Sequence, residues 1–146
     1  MVTCNETDRI IVCISGGFDP IHVGHCRNIK EAKALGNYLI VILTRDEQLM
    51  AKKGYVFMSY EERKEILESL KWVDKVVENI DKDLSSKESL KLYKPSIFAK
   101  GGDSWDEGNL REMAACKENG IKVIFGVGGF NKIQSSSKLV KGKRNN

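Results

Sequence analysis

The sequence predicts an α/β domain: a Rossmann-like, doubly wound sheet of five parallel strands with helices on both faces. Three observations carry this. Short apolar runs rich in β-branched residues recur along the chain. Segments of helical periodicity alternate with them, and glycine-bearing loops follow the carboxyl ends of the runs.

The first run, Arg9 to Ser15 (R-I-I-V-C-I-S), is short and apolar throughout, as a strand covered on both faces must be, and it ends at Gly16-Gly17. From about Val23 to Leu35 the period turns helical, with Ile29, Ala32 and Leu35 on one face and Gly36 as the stop. Tyr38 to Thr44 is the second buried strand, so the chain opens as a βαβ unit with a right-handed crossover. Arg45 to Met58 has no clean period and reads as a mobile basic loop carrying Lys52-Lys53-Gly54. Ser59 and Glu62 have the spacing of a capping box, and Ile66, Leu67 and Leu70 continue that helix. Val73 to Val77 is a third strand, Leu84 to Tyr93 a helix, and Ser96 to Ala99 a fourth strand opening at Gly101-Gly102. Trp105 to Asn119 reads as a helix closed by Gly120, and Ile121 to Phe125 as the fifth strand. A glycine-bearing loop, Gly126 to Gln134, then leads to Ser135-Ser136-Ser137 at the start of a last short helix.

The 146 residues suit one domain, 1–146, with flexible tails expected at 1–8 and 141–146. Apolar runs such as Ile10 to Ile14 fall far short of the roughly 18 residues of a membrane span. No basic segment precedes an apolar stretch near Met1, so a cytoplasmic location is expected. Cys4, Cys13, Cys26 and Cys116 form no C-x-x-C pair and read as free thiols. Lys138, Lys141, Lys143 and Arg144 stand after Gln134 with no acid among them, which accounts for the net charge of +4. The body is neutral, and nucleic acid is not an expected partner because a basic footprint would lie along a face.

The stretch that carries chemistry is G-G-F-D-P-I-H-V-G-H, Gly16 to His25, between the first strand and the first helix. His22 and His25, three apart on a first helical turn, share a side next to the free N–H groups and positive dipole end of the helix. That setting suits anionic oxygen, and Gly24 between them lets a phosphate approach the backbone. No G-K-[ST] follows, and the spacing is not G-x-G-x-x-G, so neither a Walker A loop nor a dinucleotide turn is present.

On these residues the chain resembles the cytidylyltransferase-like nucleotidylyltransferases, whose signature is His-x-Gly-His. The likeness runs from Ile10 to about Val140 through L-G-N-Y-L-I-V-I-L-T-R-D-E, Lys52 ahead of S-Y-E-E-R-K-E-I-L, K-W-V-D-K-V, F-A-K-G-G-D and S-S-S-K-L. The resemblance implies that His22, His25 and Lys52 are the catalytic groups. It also implies that Gly16, Gly17, Phe18, Gly24, Gly101, Asp103, Ser135, Ser136 and Ser137 hold the nucleotide. Asp19, Arg63, Lys71 and Lys100 would bind the acceptor. Mg²⁺ is expected on the triphosphate, with no fixed protein ligand unless Asp19 serves, and a homodimer is expected. The implied reaction is direct in-line attack by a phosphorylated polyol or sugar on the α-phosphate of CTP or ATP, with release of pyrophosphate.

Y-E-E-R and K-W-V-D favour the cytidylyl branch, whereas K-G-G-D (Lys100 to Asp103) is closer to the heptose-phosphate adenylyl branch. The glycerol-3-phosphate branch carries Arg-Thr-Glu-Gly before its serine/threonine motif; this chain reads F-N-K-I-Q there, and the arginine is missing. CTP transfer is the favoured expectation. ATP transfer to a sugar phosphate and a non-catalytic nucleotide-binding module are the alternatives.

Overall fold

A computed structural model describes residues 8–102, 105–128, 136 and 139–140. The elements in order are β1 (Ile11–Gly16), α1 (Val23–Ala34), β2 (Tyr38–Leu43), α2 (Asp46–Lys53), α3 (Tyr60–Glu68), β3 (Lys75–Glu78), α4 (Lys87–Tyr93), β4 (Ile97–Gly101), α5 (Met113–Glu118) and β5 (Lys122–Val127). The strands form one sheet in the order β3-β2-β1-β4-β5, and every neighbouring pair is parallel.

This order explains the two-layered core. The chain moves outward from β1 to β3, then returns across β1 to β4, so right-handed crossovers place the helices of the two halves on opposite faces. Alternate residues of each strand then face alternate layers. Val12, Ile14, Leu39, Val41, Leu43 and Val76 pack with Ile29 and Ala32 of α1 and Leu67 of α3. Cys13, Ile40, Ile42, Val77 and Phe98 pack with Leu90 of α4 and Cys116 of α5. Burial pushes the Cys13 thiol up to about 12 and Cys116 to about 11, so both are inert apolar fillers at neutral pH.

Two segments differ from the sequence expectation. Arg45 to Met58 is not a loop throughout, because α2 occupies Asp46–Lys53. Asp46 and Glu47 sit in its first turn and Lys52 and Lys53 in its last, each sign at the favourable dipole end. Gly54 closes it with φ 82, a left-handed conformation that glycine adopts without a Cβ penalty. The expected helix Trp105 to Asn119 is halved to Met113–Glu118. The Asp106 carboxylate accepts from the Gly108 and Asn109 N–H groups, and Asn109 Oδ1 accepts from Asp106 N, which favours turns over helix. The Ser59 half of the expected capping box forms, its hydroxyl accepting from Glu62 N at 3.3 Å. Among the described residues no helix is long and apolar enough to cross a membrane.

Candidate active site

The switch point of the sheet lies between β1 and β4, the place where open α/β sheets bind ligands beyond the strand carboxyl ends. The loop leaving β1 there delivers the histidines. His22 is the N-cap of α1 in extended conformation, and its Nδ1 accepts from Gly24 N at 3.1 Å. His25 Nδ1 accepts in turn from His22 N at 3.2 Å, a capping box built from two imidazoles in place of serine and glutamate. The rings stack with centroids 3.8 Å apart and an interplanar angle of 23°.

This arrangement fixes the tautomers. A ring nitrogen accepting from a backbone N–H carries no proton, so each neutral imidazole keeps its proton on Nε2 as a donor. Burial, then the neighbouring His22 and Lys53, lower the His25 pKa to about 3, so His25 is neutral at physiological pH. The pair therefore offers N–H dipoles to developing negative charge. A stability consequence follows with a definite sign. The folded value lies below the unfolded value of about 6.5, so the unfolded chain binds more protons between the two. His25 thus lowers stability as pH falls from about 6.5 toward about 3. Thermal unfolding at about pH 7 and about pH 4.5 is expected to show a larger acid loss for the wild type than for His25→Gln.

The glycines of the loop are explained by close approach. A Cβ on Gly24 would stand 2.9 Å from His22 Cε1, so the cap itself requires glycine, a reason additional to phosphate access. A Cβ on Gly17 would meet Leu49 Cδ2 at 2.9 Å, and one on Gly16 would meet the Phe18 ring at 3.2 Å. On β4, a Cβ at Gly101 would run into Asn28 Nδ2, which donates to Val127 O at 2.9 Å and braces α1 against β5.

Several expected site residues hold other positions. Phe18 is buried and tilts against His25 with centroids 4.7 Å apart, forming the wall behind the histidine. Asp19 is 0% exposed, and its two carboxylate oxygens accept from Phe57 N at 2.8 Å and Met58 N at 2.6 Å. It holds the 55–58 segment to the β1 loop and does not face an acceptor or a metal. Arg63 is 1% exposed. Its guanidinium donates to Met58 O, Gly17 O, Thr44 O and Asp46 Oδ1 at 2.7–2.9 Å, so its donors are spent on the protein and not on an acceptor. Lys71 follows α3 near the amino end of β3, exposed and 5.1 Å from the Trp72 ring, at the opposite end of the sheet from the histidines.

Other residues do gather at the carboxyl end. Gln48 Nε2 donates to Asn79 Oδ1, Asp81 O and Asp83 O, which anchors α2 beside the β3–α4 loop. Lys52, one turn on, is less basic than an ordinary lysine through partial desolvation and repulsion by Lys53 and Arg111. Lys100, one residue before the end of β4, has its ammonium 4.5 Å from the Trp105 ring centroid. Desolvation lowers its pKa, Glu112 opposes the shift, and Lys52 and Arg111 reinforce it. Ser136 donates to Pro20 O at 2.7 Å, bringing the end of the chain onto the histidine loop. Asp103, Ser135 and Ser137 lie outside the described residues. Among the described residues no group of three or more His, Cys, Asp and Glu side chains forms a metal site.

Residues 13–142 match the family described as Cytidylyltransferase-like. The chain belongs to the cytidylyltransferase-like family. This cytidylyltransferase-like protein is 38% identical over 117 residues to the FAD synthase of Pyrococcus abyssi, covering 79% of this chain and 77% of that one. It is 35% identical over 91 residues to the glycerol-3-phosphate cytidylyltransferase of Bacillus subtilis, covering 62% and 69%. Its fold matches the crystal structure of the lipopolysaccharide core biosynthesis protein from Thermoplasma volcanium with a TM-score of 0.67 and 27% identity, over 86% of this chain and 99% of that one. Family membership makes it a nucleotidylyltransferase-type domain.

Proposed function

We propose that the protein transfers the adenylyl group of ATP to the phosphate of a small phosphorylated sugar or polyol and releases pyrophosphate. The observation that carries the transfer is the stacked histidine pair at the start of α1, with each Nδ1 accepting from a backbone N–H so that Nε2 is left as the donor. An oxygen of the acceptor phosphate attacks the α-phosphorus in line. The bond from that phosphorus to the bridging oxygen of the β-phosphate breaks, and the oxygen leaves on pyrophosphate. His22 and His25 donate to the α-phosphate oxygens as charge shifts, with no protein nucleophile and no proton to be lost. Lys52 neutralises the triphosphate, and Mg²⁺ arrives as part of that substrate. Asp19, with its oxygens held by Phe57 and Met58, would not bind it in this arrangement.

Adenine is favoured by the relatives named for FAD, a molecule that contains an adenylyl group, and by the K-G-G-D run. This moves the base away from the CTP expected on Y-E-E-R and K-W-V-D. A phosphorylated sugar or polyol is favoured by the glycerol-3-phosphate relative and by the lipopolysaccharide core protein, which this chain matches along 99% of its length. The second reading keeps CTP, on the strength of the Bacillus relative.

Pyrophosphate release tests both, with ATP and CTP each offered sugar phosphates, glycerol 3-phosphate and FMN. ATP with a sugar or polyol phosphate is the expected productive pair. Release with CTP alone replaces the base, release with FMN alone replaces the acceptor, and no release from any pair overturns the transfer.

A further inference from the structure

His22, His25, Asn28 and Glu31 follow one another at a spacing of three, so the side of α1 that carries the histidines continues into Asn28 and Glu31. Those two residues meet the end of β5. Asn28 Nδ2 donates to Val127 O at 2.9 Å, across 99 positions of sequence, and the Glu31 carboxylate accepts from Gly128 N. The strand ends are shaped for this meeting. Ala99 pairs with Ile124 but Gly101 with Val127, so β5 carries an extra residue there, and Val127 stands between Gly126 and Gly128 with left-handed φ values of 71 and 88. Such a bulge bends the strand that carries it, and the Val127 carbonyl beyond it is the one that the Asn28 amide takes. Glycine leaves the room: a Cβ on Gly101 would stand 2.2 Å from Asn28 Nδ2, and one on Gly128 would stand 3.0 Å from Asn28 Cα. The ends of β4 and β5 therefore grip this one side chain. The buried apolar contact of α1 comes from Ile29 and Ala32, and such contact is non-directional. A hydrogen bond to a fixed carbonyl is directional, and it sets where the helix stands along its own axis.

We propose that Asn28 is a positioning residue for the transfer: through Val127 it sets how far the His22–His25 pair stands from the ends of β4 and β5. This rests on the transfer reading above. A ligand of an open α/β sheet lies beyond the strand carboxyl ends, so the nucleotide spans the gap that Asn28 fixes. The histidine donors act where charge shifts on the α-phosphate, and a misplacement of about 1 Å costs on the order of a hundredfold in rate. Asn28 touches no reacting atom. Its effect reaches the reaction through one turn of α1, from Asn28 back to His25. The loss therefore falls on kcat, since the donors matter most in the transition state, and little on the binding of ATP.

The test is pyrophosphate release by Asn28→Ala and Asn28→Asp, beside nitrogen NMR of the imidazoles with and without a non-hydrolysable ATP analogue. The aspartate keeps the shape of the side chain and sets an oxygen against the Val127 carbonyl. His22 and His25 are the two histidines of the sequence, so the imidazole signals report on this pair alone. Both variants are expected to lower kcat by about tenfold or more while KM for ATP stays within about threefold. Without ligand, Asn28→Ala should keep both rings protonated at Nε2, which shows the cap of α1 intact. With the analogue, the change at the Nε2 signals seen in wild type should be lost or reduced. A kcat within about twofold of wild type overturns the proposal. So does a rise in KM at unchanged kcat, or loss of the Nε2 pattern in both free variants, which would leave Asn28 a role in the fold alone. If wild type releases no pyrophosphate, the transfer reading falls and the analogue-induced change decides alone: its loss in Asn28→Ala retains the positioning role, and its persistence, or its absence from wild type, overturns it. The two failures are therefore distinguishable.

Discussion

His22→Ala is expected to lower turnover by at least about a hundredfold while the fold persists, because it removes one of two preorganised donors to the α-phosphate. It also removes the cap of α1, which costs about 1 kcal/mol of stability. His22→Asn separates the two effects. Asparagine is a good N-cap and restores the contact with Gly24 N, but its short amide does not reach where Nε2 stood. Stability should recover in the asparagine variant and turnover should not. Steady-state pyrophosphate release together with thermal unfolding of both variants reads the difference. A near-normal rate in either variant would remove His22 from the chemistry.

Arg63→Ala is the substitution expected to cost the most stability, on the order of 3 kcal/mol. The guanidinium joins the β1 loop, the end of β2, the first turn of α2 and the segment before α3 through Gly17, Thr44, Asp46 and Met58. Its loss leaves half-buried carbonyls without these donors. Arg63→Lys should recover little, since one ammonium cannot span acceptors set around a planar fork. Urea unfolding monitored by circular dichroism should show a lower midpoint at unchanged slope. A stable variant with only a raised acceptor KM would return Arg63 to the acceptor-binding role that the sequence suggested.

The alternation of apolar runs with helical periods made the doubly wound sheet readable before the structure, since each run is covered on both faces and each crossover needs a helix. The histidine pair was readable for the same local reason: a strand, a glycine turn and a helix start confine His22 and His25 to one place. Arg63, Asp19 and Lys71 were misplaced because their roles depend on where chain-distant groups lie. Only the fold shows that Gly17 and Thr44 carbonyls converge on Arg63, and that α3 carries Lys71 to the amino end of the sheet. The helix α2 did leave signals, acidic residues at Asp46 and Glu47, basic ones at Lys52 and Lys53, and Gly54 beyond. Its short apolar face hid them, for Leu49 is its buried apolar anchor.

The buried braces at Arg63 and Asp19 are satisfied by main-chain atoms and the Asp46 carboxylate rather than by the substrates. The centre of the molecule is thus a chassis indifferent to its cargo: it aims the histidines whatever stands opposite them. The rim beyond β4 is exposed, so a residue there can change without a core rearrangement. Proteins named for quite different products are similar to this one chain, as such a frame allows.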